Sequence, residues 1–139
     1  MLSTETIHAT CVAIGDRAVL LVGPSGSGKS DLGLRLIDRG ATLVSDDYTI
    51  LERQGDGLRA KAPSRLAGRL EVRGVGIVEL PHRDELSVTL VFELAGEVDR
   101  FPLLDERRNY AGVELPLIVL NPFAASAPIK VELALARVG

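Results

Sequence analysis

Val19-Leu20-Leu21-Val22-Gly23-Pro24-Ser25-Gly26-Ser27-Gly28-Lys29-Ser30 decides the fold: an apolar β-rich run, a glycine-rich turn and then a lysine–serine pair. Residues 23–30 match G-x-x-x-x-G-K-[ST] in full. Glycines let successive backbone N–H groups converge on phosphate oxygens, and a following helix adds its positive N-terminal end. The context fits, because Val19–Val22 reads as a strand and Lys29–Arg39 as a helix, with Leu32, Leu36 and Ile37 on one face and Gly40 ending it. Gly33 works against that helix by about 1 kcal/mol relative to alanine. The pattern assigns phosphate contact to Gly23, Pro24, Ser25, Gly26, Ser27, Gly28, Lys29 and Ser30, with Lys29 on the β- and γ-phosphates and the Ser30 hydroxyl on Mg²⁺.

Outward from this motif, Ile7–Ile14 and Arg17–Leu21 flank Gly15-Asp16 as a hairpin, and Ala41–Val44 reads as a buried strand ending at Ser45-Asp46-Asp47. Tyr48–Arg53 and Leu58–Ala62 flank Gln54-Gly55-Asp56-Gly57 as a second hairpin. One helical turn is expected within Pro63–Leu70, and strands over Ile77–Leu80, Leu86–Leu94 and Leu115–Leu120. Arg107-Arg108 reads as a solvated turn. The tail is ambiguous: Ile129, Val131, Leu133 and Leu135 alternate as in a strand, yet Ser126 and Pro128 suit a helix start. Hairpins outnumber long helices, which predicts a mixed α/β domain rich in antiparallel strands rather than a doubly wound parallel sheet.

The 139 residues, 46% hydrophobic and 25% charged, predict one globular domain over 1–139. A formal charge of −3 argues against broad electrostatic binding to nucleic acid or anionic membrane. The lone Cys11 allows no intrachain disulfide and reads as a small core residue. Met-Leu-Ser-Thr-Glu-Thr has neither a basic nor an apolar leader region, so a cytoplasmic protein without a signal peptide is expected.

Two further stretches carry chemistry. Asp46-Asp47, directly after the motif's helix and one strand, suits a metal ligand or a base for a hydroxyl proton, or a strand-ending Asx turn. In Leu70-Glu71-Val72-Arg73-Gly74-Val75-Gly76-Ile77, Glu71 is placed to complete Mg²⁺ coordination and Arg73 to face phosphate, unless the stretch is simply a turn between strands.

Taken together, Ile7-His8, GPSGSGKS at 23–30, LVSDD at 43–47 and LEVRGVGIVE at 70–79 resemble the catalytic domain of HPr kinase/phosphorylase. The resemblance implies a mixed sheet akin to the nucleotide-binding part of phosphoenolpyruvate carboxykinase, with a helical C-terminal run. It implies ATP- and Mg²⁺-dependent phosphorylation of a serine on an HPr-type phosphocarrier of the phosphotransferase system, with ATP or pyrophosphate as donor. By residue, Lys29 holds the transferring phosphate, Ser30 and Glu71 bind Mg²⁺, Asp47 accepts the serine proton and donates it in reverse, and His8 is an active-site histidine. Arg100 corresponds to a catalytic arginine, and 70–79 to a loop serving both directions. A homo-oligomer, a hexamer in the family, is also implied.

Two departures shape the expectation. Only seven residues precede His8, where the familiar enzyme has an N-terminal domain. The family's Pro-x-Arg-Pro-Gly-Arg-Asn segment is replaced by Leu120-Asn121-Pro122-Phe123-Ala124-Ala125-Ser126, without either arginine. A shortened kinase with weak or absent phosphorylase activity is therefore expected. A nucleotide-sensing module without catalysis and a small-molecule kinase on the same scaffold are the alternatives.

Overall fold

The computed structural model describes residues 3–98 and 106–138, which form ten strands, two α-helices and one 3-10 turn. In chain order these are β1 (Thr4–Ile14), β2 (Arg17–Val22), α1 (Lys29–Asp38), β3 (Thr42–Ser45), β4 (Tyr48–Gln54), β5 (Gly57–Lys61), the 3-10 turn (Ser64–Leu66), β6 (Arg69–Val72), β7 (Gly76–Glu79), β8 (Leu86–Leu94), β9 (Arg107–Tyr110), β10 (Val113–Leu120) and α2 (Ala127–Arg137).

All strands except β6 and β7 belong to one mixed sheet. β1 pairs antiparallel with β2 along one edge and with β3 and β4 along the other. β4 continues to β5, β5 to β8, and β8 pairs parallel with β2, so the ladder β1-β4-β5-β8-β2 closes on itself. β10 adds parallel to β8 and β9 antiparallel to β10. The mixed sheet with a phosphate-loop helix matches the expected class.

The closure explains the sequence of the central strands. Residues 9–13 of β1, 18–22 of β2 and 90–92 of β8 are buried on both faces, and these are the most apolar parts of the three strands. One face turns Ala9, Cys11, Ala13, Ala18, Leu20 and Val91 into the curl, where small side chains allow a tight bend. The other turns Val12, Val19, Leu21, Leu90 and Phe92 against Leu32 and Leu36 of α1 and Val131 and Leu135 of α2. Cys11 is fully buried, and burial pushes its thiol far up from the ordinary range, so it is an inert core residue.

One expectation changes here and two open ones are resolved. Arg107-Arg108 is strand, not turn: β9 pairs with β10, and Arg108 donates to Glu93 at 3.0 Å. The ambiguous tail is helical, as the resemblance implied, because Val131 and Leu135 are buried four residues apart while Ile129 and Leu133 stay exposed. Residues 70–79 form most of a separate two-stranded hairpin, β6–β7, whose Leu70 is fully buried. No helix among the described residues is long and apolar enough to cross a membrane.

Candidate active site

The phosphate loop joins β2 to α1 and turns on Gly28, whose φ of 94° a side chain would strain and whose added Cβ would lie 3.3 Å from the Phe123 ring. Among the described residues no side chain caps the N-terminus of α1, which leaves backbone N–H donors for an anion. Lys29 is buried and donates to Gly23 O at 2.8 Å and Pro24 O at 3.0 Å, so its ammonium is folded over the loop. Burial lowers its pKa from the usual lysine value, and the Asp47 and Asp46 carboxylates oppose that shift.

β1 lies between β2 and β3 and carries α1 across its face. Gly33 makes that approach possible, since a Cβ there would meet Thr10 Cγ2 at 3.1 Å. The helix-weakening glycine is thus a packing requirement. It brings Ser30, at the start of α1, beside the end of β3.

There the two aspartates part. Asp46 points inward, 4% exposed, and accepts Ser30 Oγ–H at 2.7 Å, Thr10 Oγ1–H at 2.8 Å and the Glu71 N–H at 3.1 Å. One carboxylate thereby ties together the phosphate-loop helix, β1 and β6. Asp47 has a φ of 69°, a left-handed conformation that aspartate tolerates better than most residues. It is pinned by Ala9 N–H to Asp47 O at 3.0 Å, with Tyr48 N–H to Asp46 O at 2.8 Å alongside. This reversal leaves the Asp47 side chain 58% exposed and 3.0 Å from His8 Nε2. His8 sits opposite Tyr48 in the β1–β4 register, with ring centroids 5.3 Å apart.

His8, Lys29, Ser30, Asp47 and Glu71 all line one cleft of about 480 Å³, which Arg73 and Phe123 also border. Of the other predicted site residues, Ser25, Gly26 and Gly28 line the same space, Gly23, Pro24 and Ser27 do not, and Arg100 lies outside the described residues. The resemblance singled out Asp47 of the pair, but sequence reasoning gave neither Asp46 nor Phe123 a role of its own. Nothing in the Asp-Asp dipeptide reports which carboxylate faces inward, because that follows from the β1–β3 register and its irregularity between Cys11 and Val12.

The donor set fits Mg²⁺. It offers hard oxygens, a hydroxyl whose proton is already given to Asp46 and a Glu71 whose backbone is anchored on the same carboxylate. An octahedral ion that keeps several waters and takes phosphate oxygens needs no more than one or two carboxylates.

Residues 1–127 match the family model described as HPr Serine kinase C-terminal domain. The chain belongs to that family. Within it, the chain is 34% identical over 128 residues to the HPr kinase/phosphorylase of Cupriavidus necator, covering 84% of this chain and 40% of that protein. It is 35% identical over 133 residues to the HPr kinase/phosphorylase of Chlorobium phaeobacteroides, covering 86% and 41%. The chain thus spans about two-fifths of the length of the curated relatives it matches. Its fold is that of the Hpr(Ser) kinase/phosphatase from Coxiella burnetii, with a TM-score of 0.82, 27% identity and coverage of 96% of this chain and 95% of that one.

Proposed function

We propose that this chain, as a member of the HPr serine kinase C-terminal domain family, transfers the γ-phosphoryl group of ATP to a serine of an HPr-type phosphocarrier, with Mg²⁺ bound. The observation that carries the reading is the pair of neighbouring aspartates facing opposite ways. The buried Asp46 accepts three donors, while the exposed Asp47 stands at the cleft beside Lys29 and Ser30. A module that only binds nucleotide has no use for an exposed carboxylate held in a left-handed backbone next to the phosphates.

In this mechanism Asp47 accepts the serine Oγ proton as the new O–P bond forms and the bond from the γ-phosphorus to the bridging oxygen breaks, releasing ADP. His8, with Nε2 protonated, donates to Asp47 and holds its rotamer toward the cleft. Lys29 exchanges the Gly23 and Pro24 carbonyls for phosphate oxygens. Ser30 and Glu71 hold the cation, which when bound neutralises charge on the transferring phosphates. Transfer of this kind depends mainly on positioning and charge neutralisation, which these groups supply.

The reverse reaction is proposed to be weak. Leu120–Ser126 brings no cation to the site, and Arg35, which reaches that turn, is engaged with the Pro122 and Ala124 carbonyls and with Asp31. Incubating the protein with labelled ATP, Mg²⁺ and a purified phosphocarrier tests the forward reaction, and adding inorganic phosphate to the phosphorylated carrier tests the reverse. Labelled serine with slow phosphorolysis is expected. Labelling of free metabolites without the carrier, or no transfer despite nucleotide binding, contradicts the proposal.

A further inference from the structure

Phe123 combines high exposure with a tightly held backbone. The residue is 70% exposed, although a phenyl ring is among the side chains that gain most from burial. The chain around it is fixed. Phe123 N–H donates to Asn121 Oδ1 at 3.0 Å, Arg35 donates to the carbonyls of Pro122 and Ala124 on either side, and Ala127 N–H closes on Ala124 O at 3.0 Å where α2 begins. A preorganised, solvent-facing ring is the arrangement of a contact surface, because little conformational freedom remains to be lost when something settles on it.

Its position defines what settles there. The ring edge approaches Gly28 at the start of α1, where the phosphates of a bound donor would lie. Leu34, one turn beyond Ser30 and about 6 Å further along the helix axis, borders the same cleft. The cleft therefore has a charged group of Lys29, Ser30, Asp47 and Glu71 and an apolar flank of Leu34 and Phe123. Its volume of about 480 Å³ is that of sites enclosing whole small ligands, and more than a bare diphosphate fills. An aromatic ring and a branched aliphatic chain beside a phosphate cradle suit a heteroaromatic base, which stacks on π-faces and sheds water when it does.

We infer that Phe123, with Leu34, is the nucleobase platform of this site, so that the protein takes a nucleoside triphosphate in preference to inorganic pyrophosphate. The inference rests on the phosphoryl-transfer reading above and assigns the side chains that select its nucleotide donor. Stacking reads the π-face rather than the hydrogen-bonding edge, so adenine and guanine are both accepted.

The test is calorimetric titration of the full chain in Mg²⁺, without phosphocarrier, using ATP, GTP and pyrophosphate as ligands. Phe123→Ala is expected to weaken ATP and GTP by roughly 5- to 100-fold and to leave pyrophosphate within about twofold. Phe123→Trp is expected to restore nucleotide binding, and Leu34→Ala to weaken it in the same direction. In steady state, Phe123→Ala raises KM for ATP with little change in kcat. Phe123→Ala that leaves ATP binding intact but raises KM for the phosphocarrier overturns the inference in favour of a protein-docking ring. Equal losses for ATP and pyrophosphate also overturn it and leave the transfer reading standing, whereas wild type that binds only pyrophosphate overturns it together with ATP as the donor. Wild type that binds neither ligand removes both.

Discussion

Replacing Asp46 by asparagine exposes how the site is held together. The side chain keeps its shape, but one carboxylate oxygen becomes an NH₂ group. In the structure the two oxygens accept three donors: Thr10 and Ser30 on Oδ1, and the Glu71 N–H on Oδ2. If the amide oxygen keeps the two hydroxyls, its NH₂ faces the Glu71 N–H, donor against donor. The lost bond has a charged acceptor and is worth about 1.5–3 kcal/mol. The two surviving bonds lose their charge assistance, which roughly halves them. A loss of at least about 3 kcal/mol follows, to be set against a total of roughly 5–15 kcal/mol for a domain. At this size that corresponds to a fall in Tm of about 10 °C. The chain has no tryptophan, so far-UV circular dichroism is the suitable probe for heat and urea melts. Thr10→Val removes one of the three donors, and the cycle with Asp46→Asn is expected to show a coupling of about 0.5–3 kcal/mol. Additive single effects, or a variant melting within about 2 °C of wild type, would refute the picture of Asp46 as the tie between α1, β1 and β6.

Two further outcomes follow from individual groups. Ser27 Oγ is buried without a partner among the described residues, so Ser27→Ala is expected to stabilise the protein by about 1 kcal/mol in the same melts. A simultaneous drop in ATP affinity would show that this hydroxyl is reserved for phosphate. Lys29 carries a pKa lowered by burial, so it discharges below the usual lysine range, and affinity for Mg²⁺-pyrophosphate should fall as pH rises through that lowered value. Stability moves the other way, since between the folded and unfolded pKa values the unfolded chain binds more protons and rising pH favours the fold. Calorimetry from pH 7 to 10 checks the first effect, and Lys29→Arg, which stays charged, should flatten the fall.

The phosphate loop, α1 and the β1–β2 hairpin were legible in the sequence because each is a local pattern: glycine spacing, a helical apolar stripe, a two-residue turn. β9 was not, since Arg107-Arg108-Asn109-Tyr110 has no apolar alternation and becomes strand only through pairing with β10. The tail was ambiguous from its pattern, and a helix was implied only by the resemblance, as residues two apart happen to be apolar while the buried set is Ala127, Pro128, Val131 and Leu135. In the site, Lys29, Ser30 and Asp47 could be read from spacing and family resemblance. The inward turn of Asp46 could not, because it depends on where β1 and β3 register and on how closely Gly33 lets α1 approach Thr10. Phe123 was invisible for a similar reason: its importance lies in the ties from Arg35 and Asn121, far or near in sequence, that fix the turn bearing it.

The most direct measurement compares wild type with Asp47→Asn in phosphoryl transfer from labelled ATP to the serine of a phosphocarrier, with nucleotide affinity measured in parallel. The account predicts that the variant binds Mg²⁺-ATP about as well as wild type and loses nearly all transfer. Asp47→Asn transferring at a rate close to wild type would contradict it.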